Sequence, residues 1–130
     1  GTVLRSAEAF NVSGVILSAD CCDIYNPKVV RGSMGAVFRI PFIIESTVKD
    51  FLEKNPQLNS YAAVVNSKAD SLTDVKFKIP CVVVVGNEGN GIKAETEQAC
   101  QNKITIHMEG KAESLNASVA AAILMWEMMK

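Results

Sequence analysis

Residues 79–91 read Ile-Pro-Cys-Val-Val-Val-Val-Gly-Asn-Glu-Gly-Asn-Gly, a β-branched run that leads into a glycine-rich loop. The run from 79 to 85 predicts a strand covered on both faces, as strands of parallel sheets are. Gly86, Gly89 and Gly91 permit positive φ angles and close approach of the backbone to a ligand. The stretch predicts a strand that ends either in a ligand-binding loop or in a plain strand-to-helix turn.

Outward from this stretch, helix and strand patterns alternate along the chain. Helices are predicted over residues 4–11, 27–37 behind an N-cap at Asn26, 47–54 behind a cap at Ser46 or Thr47, 94–102 and about 115–130. Strands are predicted over 14–17, 41–44, 61–65, 79–85 and 104–106. The alternation predicts an α/β fold with a mostly parallel sheet and helices on both faces. Ligands of such sheets bind beyond the carboxyl ends of the strands.

Length and composition indicate one globular domain. The chain has 130 residues, of which 48% are hydrophobic and 21% charged, a composition typical of a folded protein. Its longest apolar stretches, 80–85 and 117–126, fall short of the roughly 20 residues of a membrane span. The first residues lack the pattern of a secretory signal. A cytoplasmic protein without a membrane segment is expected.

The cysteines and the net charge count against two classes of site. Cys21, Cys22, Cys81 and Cys100 have neither C-x-x-C spacing nor enough histidine nearby for zinc, so no metal is predicted and the thiols are expected to be reduced and mostly buried. A formal net charge of −1 counts against an autonomous nucleic-acid-binding module, which usually carries basic excess. A local basic patch remains open.

Three separated segments resemble the motifs of the SpoU-type (TrmH-like) RNA 2′-O-methyltransferases of the SPOUT superfamily. Residues 1–7 resemble the latter part of motif 1, whose arginine falls on Arg5. Residues 83–91 match motif 2, and residues 104–118 match motif 3. Residues 30–36 resemble the middle helix of that family, so the resemblance covers essentially the whole chain.

The resemblance implies a SPOUT domain with a C-terminal trefoil knot, a rare exception to the rule that chains do not thread loops. In this family the knotted loops hold S-adenosylmethionine, largely through backbone groups. The cofactor-binding positions implied by the motifs are Gly86, Asn87, Gly91, Ile106, Met108 and Leu115. Glycines and apolar strand ends suit this role because they present free N–H and C=O groups in a dry slot.

The implied reaction is transfer of a methyl group to a ribose 2′-hydroxyl of tRNA or rRNA. Its motif residues fall on Arg5, Glu88, Ser114 and Asn116. Because a guanidinium stays protonated in proteins, we expect Arg5 to grip a phosphate and stabilise developing alkoxide charge. Glu88 would orient Arg5 or a neighbour, while Ser114 and Asn116 would shape the junction of cofactor and ribose. Considered alone, Ser114 and Asn116 are ordinary N-cap residues.

The sequence departs from the family pattern in two places. Motif 1 usually opens with a strand and an asparagine, which precede the residues present here, so residues 1–130 are expected to form a SPOUT domain that lacks its first strand and a separate N-terminal RNA-binding domain. His107 stands where the family usually has proline. It is either a tolerated loop residue or a recruited base or cofactor contact.

The last helix and the basic residues indicate the partners of the protein. Apolar residues around much of the last helix predict a homodimer that forms through this helix and the knot region, the alternative being a helix fully buried within the monomer. Arg5, Lys28, Arg31 and Arg39 are candidate phosphate contacts, and single-stranded RNA loops are the expected targets. A catalytically silent SPOUT domain that serves in RNA binding or assembly is the alternative. A generic nucleotide-binding domain is third, because the order of the glycines is not that of the dinucleotide fingerprint.

Overall fold

The structure, a computed structural model, describes residues 1–19, 25–65, 68–86, 91–108, 110 and 115–129. Its helices are α1 (Thr2–Ala9), α2 (Pro27–Ser33), α3 (Val48–Lys54), α4 (Ala94–Ala99) and α5 (Ala117–Met129). Its strands are β1 (Val15–Ser18), β2 (Phe42–Glu45), β3 (Asn59–Ala63), β4 (Asp70–Ser71), β5 (Cys81–Val84) and β6 (Asn102–Thr105). Short 3₁₀ turns cover Ala36–Phe38 and Leu72–Asp74.

The strands form two sheets in which every pair is parallel. One sheet contains β1 and β2, and the other has the order β4-β6-β3-β5. The predicted α/β class with parallel pairing is confirmed. The described strands divide into two sheets, however, where the sequence suggested one, because the pairing of strands depends on contacts that sequence periodicity does not reveal.

The predicted helix 27–37 is wrong after its first two turns. Asn26 caps its start as expected, since the Asn26 side chain accepts a hydrogen bond of 2.9 Å from the backbone N–H of Lys28. Met34 and Gly35 then both adopt left-handed backbone conformations, with φ of 52° and 87°. Two successive residues of this kind end an α-helix, and the chain continues as the 3₁₀ turn.

The predicted strand 79–85 is shorter and less covered than its composition suggested. Strand β5 spans Cys81–Val84, and Ile79 before it is 84% exposed. Within β5, Val82 and Val83 are half-buried, and among the described residues β5 pairs with β3 alone. An edge strand lacks a neighbour on one side, so β-branched composition did not guarantee burial on both faces.

Three apolar clusters form the core, and two helices connect them. Leu4, Ala7, Ala121 and Met125 join α1 to α5 in the cluster beside β1 and β2. Leu52 of α3 packs with β3 and β5, although α3 also contacts β1 and β2. Leu124 of α5 packs with Tyr61 and Ile104 of the larger sheet. Helices α3 and α5 therefore cover both sheets. Among the described residues, no helix is both long and apolar enough to cross a bilayer.

Candidate functional site

The carboxyl ends of three neighbouring strands define one edge of the larger sheet. Ala62 of β3 lies opposite Val84 of β5, and Ala63 lies opposite Ile104 of β6. Because these strands are parallel and in this register, the segments that follow them leave the sheet side by side. The glycine loop after β5 and the segment after β6 are thereby brought to the same edge, as the rule for parallel sheets predicts.

The two ends of the glycine loop lie against each other. A Cβ atom built on Gly86 would overlap the backbone of Gly91 and Ile92, whereas Gly91 has open space around the corresponding position. Gly91 also has a φ of 67°, which favours glycine. Ile92 packs into the cluster that contains Val64 and Val84. Glycine is therefore required at position 86, because any side chain there would keep the two ends of the loop apart.

Half-buried apolar residues continue this surface along motif 3. Ile106 packs with the core of the larger sheet, and Met108 and Leu115 are half-buried. Val85, at the end of β5, is 38% exposed. His107, the residue at the usual proline position, is exposed. The described part of the edge thus offers apolar side chains and loop backbone groups, which are the components of a small-molecule site.

Asn116 lies at the start of α5 and acts as its N-cap. Its Oδ1 atom accepts hydrogen bonds of 2.9 Å from the backbone N–H of Ser118 and 2.6 Å from the Ser118 hydroxyl. Its carbonyl oxygen accepts from the N–H of Ala120 at 2.9 Å. Asn116 therefore has the capping role that asparagine commonly has at a helix start, and this residue of motif 3 is exposed.

Arg5 lies on the exposed side of α1, whose Leu4 and Ala7 point into the core. No hydrogen bond or ion pair joins its guanidinium to another residue that the structure describes. Gly1 packs against Gly32 of α2, and Glu8 pairs with Arg39. Residues 1, 5 and 8 share one face of a helix. Arg5 therefore lies on the same face of α1 as Gly1 and Glu8, which contact Gly32 of α2 and Arg39 after the 3₁₀ turn.

Arg39, one of the candidate phosphate contacts, is already engaged. Its Nε and Nη2 atoms donate to the Glu8 carboxylate at 2.6 and 2.8 Å, and Nη2 also donates to the Met34 carbonyl at 3.1 Å. The bidentate pair lowers the pKa of Glu8 and raises that of Arg39. Lys28 and Arg31 are exposed on α2. Of the four candidate phosphate contacts, Arg5, Lys28 and Arg31 are therefore more available to a ligand than Arg39, whose guanidinium is paired with Glu8.

Several predicted site residues lie outside the described part of the chain. They are Asn87 and Glu88 of the glycine loop and Ser114 before the last helix. Cys21 and Cys22 also lie outside it. Of the other thiols, Cys81 is half-buried and Cys100 is buried, and burial raises the pKa of Cys100 to about 11. Among the described residues, no group of histidine, cysteine and acidic side chains could hold a metal ion.

Strand β6 occupies an unusual place in the chain order. It lies between β3 and β4, which precede it in sequence, with Ala63 on one side of Ile104 and Asp70 on the other. Ala63 and Asp70 are close in sequence but therefore lie on opposite sides of β6. Sequence periodicity missed β4, whose two residues, Asp70 and Ser71, have no strand pattern.

The chain belongs to the SpoU rRNA methylase family, whose model matches residues 1–126. It is 30% identical over its whole length to the 23S rRNA (uridine(2479)-2′-O)-methyltransferase of Streptomyces viridochromogenes, of which it covers 47%. It is also 33% identical, over 98% of its length, to an uncharacterised tRNA/rRNA methyltransferase of Synechocystis, again covering 47%. The chain thus spans about half the length of these curated relatives.

Solved structures agree with this assignment. An AdoMet-bound rRNA methyltransferase from Sinorhizobium meliloti superposes with a TM-score of 0.90 at 28% identity, over 98% of this chain and 49% of that one. The SpoU methyltransferase from Streptomyces viridochromogenes, in complex with the cofactor AdoMet, gives 0.86 at 29% identity, over 98% and 51%. The resemblance inferred from the three motifs and the SPOUT fold class is confirmed.

Proposed function

We propose that this chain is the methyltransferase domain of an S-adenosylmethionine-dependent enzyme that methylates ribose 2′-hydroxyl groups of tRNA or rRNA in the cytoplasm. The observation that carries the proposal is the convergence of the glycine loop and the motif 3 segment at one sheet edge, through the register of β3, β5 and β6. Membership of the SpoU family and the likeness to a 2′-O-methyltransferase support the same function.

The described residues fit the proposed cofactor. The close packing of Gly86 on the backbone of Gly91 brings the two ends of the loop together, and the space beside Gly91 is open. Ile106, Met108 and Leu115 supply half-buried apolar surface at the same edge. We propose that these five residues and Asn87 bind S-adenosylmethionine, which supplies a methyl group activated by the adjacent sulfonium.

Arg5 is proposed to act on the RNA. A guanidinium donates two parallel hydrogen bonds to a phosphate and stabilises negative charge that develops on the ribose oxygen. It cannot serve as a base, so the proton of the hydroxyl leaves through water or a substrate phosphate. The exposure of Arg5 and its freedom from hydrogen bonds and ion pairs to the described residues support this role. Glu88 would orient it, and Ser114 and Asn116 would position the ribose.

The chain order supports a knotted cofactor pocket. Because β6 lies between β3 and β4, a chain that passes beneath the 63–70 connection as it leaves β6 would be threaded through an earlier loop. We propose that this threading forms the trefoil knot expected from the resemblance. Such an arrangement would hold the connection, the glycine loop and the motif 3 segment against one another, which favours a preorganised pocket.

Open strand edges support the proposal that the SPOUT domain includes one more strand than these residues supply. Among the described residues, β1 pairs with β2 alone and β5 pairs with β3 alone. Helix α3 contacts strands of both sheets. A further strand that paired with β1 and β5 would join the two sheets and cover the half-buried valines of β5.

The outer face of α5 supports a homodimer. Val119, Trp126 and Met129 are each about half exposed, at 49%, 50% and 52%, and their spacing places them along one side of the helix. Leu124 and Met125 face inward. An apolar stripe of this kind on a helix that begins beside the site favours a second subunit that packs near the active site.

Calorimetry with S-adenosylhomocysteine tests the cofactor site without knowledge of the RNA. We expect the wild-type chain to bind it and Gly86→Ala to bind it at least tenfold more weakly, because the added methyl group prevents loop closure. Gly32→Ala is the matched control, since its Cβ would have no neighbour nearer than 3.5 Å. Absence of binding by the wild-type chain would contradict the proposed function.

A methyl-transfer assay tests the catalytic assignment. Tritiated S-adenosylmethionine is supplied with tRNA and rRNA transcripts, and digested nucleosides are analysed for 2′-O-methylation. We expect Arg5→Lys to lower turnover by at least tenfold with little change in cofactor affinity, because a lysine cannot make the bidentate contact. Near-normal turnover of Arg5→Lys with unchanged RNA affinity would show that the assigned role is wrong.

A further inference from the structure

A cluster of three aromatic rings lies on the surface beside α2. The Tyr25 and Phe38 rings stack with centroids 6.4 Å apart and an interplanar angle of 25°, and Phe42 meets Tyr25 edge-on at 6.3 Å. Tyr25 is 58% exposed and Phe38 is 69% exposed. Large aromatic side chains normally bury most of their area, so this aromatic patch is costly in water and indicates an interaction surface.

The patch lies in a segment whose charge differs from that of the rest of the chain. Residues 25–44 contain Lys28, Arg31 and Arg39 and no aspartate or glutamate. The chain has 13 basic and 14 acidic residues in total, so the remainder holds ten basic and fourteen acidic residues. Because Glu8 pairs with Arg39, the positive charge that the segment presents is that of Lys28 and Arg31, on a protein whose remainder is acidic. A polyanion would be attracted to this segment in particular.

The local backbone fixes the parts of this surface relative to one another. Tyr25 directly precedes Asn26, whose side chain caps α2 through Lys28, so Tyr25 lies beside the end of the helix that carries Lys28 and Arg31. Phe38 lies in the 3₁₀ turn, and its neighbour Arg39 is held by Glu8 and the Met34 carbonyl. Preorganised rings lose little conformational freedom when they bind.

We propose that the exposed outer face of the stacked Tyr25–Phe38 pair receives a base of single-stranded RNA while Lys28 and Arg31 contact its phosphates. The proposal rests on the proposed function for the class of partner, and it adds the surface that receives the substrate outside the cofactor pocket. Exposed aromatic faces next to cations are typical of sites that bind unpaired nucleotides. A purely apolar protein partner would not account for the absence of acidic residues from the segment.

Tryptophan fluorescence tests stacking directly. Trp126 is the only tryptophan, so Phe38→Trp in a Trp126→Phe background reports on position 38 alone. We expect a single-stranded RNA decamer to quench this fluorescence and an abasic decamer of the same charge to leave it largely unchanged. Equal quenching by both, or none by either at concentrations that saturate RNA binding, would overturn the stacking contact.

Affinity measurements separate stacking from apolar contact and from charge. Phe38→Ala should weaken binding of the RNA decamer about tenfold, as loss of one stacked base does. Phe38→Leu retains apolar volume and should weaken it nearly as much, whereas Phe38→Tyr should retain affinity. Lys28→Ala and Arg31→Ala should each reduce the salt dependence by about one counterion. Thermal unfolding monitored by circular dichroism verifies that each variant is folded.

The outcomes distinguish this proposal from the proposed function. RNA binding unaffected by Phe38→Ala, in a protein that still binds S-adenosylhomocysteine, would exclude the aromatic patch and leave the methyltransferase assignment intact. A change in oligomeric state of Phe38→Ala in sedimentation, without a change in RNA affinity, would identify the patch as a contact between copies. Failure of the wild-type chain to bind any RNA decamer would also overturn the patch proposal.

Discussion

The two sheets contain similar apolar strands but differ greatly in burial. In the larger sheet, Tyr61, Ala62 and Ile104 are 5%, 0% and 1% exposed. In the smaller sheet no residue of β1 or β2 is fully buried, and Ile43 and Ile44 are 47% and 60% exposed. The well-packed sheet carries the loops of the proposed cofactor site, where positions must be precise. Strand β2 of the smaller sheet forms the last part of the cationic segment, whose proposed partner is flexible single-stranded RNA.

Helix α5 links the two regions. Ala121 and Met125 pack with α1 beside the smaller sheet, and Leu124 packs with Tyr61 and Ile104 of the larger one. Asn116, at its start, lies next to the motif 3 segment. A change that destabilises this helix should therefore reach both the proposed cofactor pocket and the region of Arg5.

The greatest loss of stability is expected for an isoleucine-to-alanine substitution in the larger sheet, compared with the same substitution in the smaller one. Ile104→Ala removes a fully buried side chain from the larger sheet and should lower the free energy of unfolding by about 3 kcal/mol. Ile44→Ala removes an exposed side chain from β2 and should change it by less than about 0.5 kcal/mol. Urea denaturation measures both. Similar losses for the two variants would show that the sheets do not differ in packing as the structure indicates.

An intermediate effect is expected from the helix caps. Asn116→Ala removes the N-cap of α5 and Asn26→Ala removes that of α2, and each should cost about 1 kcal/mol of stability. Asn116→Ser should restore stability, because serine also caps. If Asn116 positions the ribose as proposed, methyl transfer by Asn116→Ser should stay low although the fold recovers. Recovery of both would limit Asn116 to a structural role.

At neutral pH the smallest effect is that of the Cys100 thiol, whose ionisation changes stability only at alkaline pH. Burial raises the pKa of Cys100 to about 11 from an ordinary value of 9.0. The folded protein therefore holds this proton more tightly than the unfolded chain, so stability is unaffected below about pH 9 and falls as the pH rises from 9 toward 11. Melting temperatures of the wild type and Cys100→Ala should converge over that interval. A difference independent of pH would contradict burial of this thiol beside β3 and β5.

Local features were predictable wherever one or two residues set the backbone conformation, as at helix caps. The Asn26 cap is formed as predicted, and of the two candidates Ser46 and Thr47 it is Thr47 that caps α3, through a 3.1 Å bond from the Asp50 N–H. The end of α2 was not predictable by periodicity, because the apolar spacing continues through Met34 while the backbone turns left-handed there. The two residues of β4 gave no pattern at all.

The candidate site was predicted mainly by motif resemblance. Spacing alone left the glycine loop undecided between a ligand loop and a turn, and Arg5 had no distinguishing local feature. The aromatic patch was not predicted, since Tyr25, Phe38 and Phe42 are separated in sequence and only folding stacks their rings. The engagement of Arg39 by Glu8, 31 residues away, was likewise not visible.

The α/β class, the parallel pairing and the loop that needs glycine could be read from the amino-acid order, because they follow from alternation, β-branched runs and side-chain size. The position of β6 between β3 and β4, the division of the strands into two sheets and the contacts between exposed residues became visible only in the folded chain. Those outcomes depend on contacts between distant residues, whose free energies are set by register and packing that no local pattern specifies.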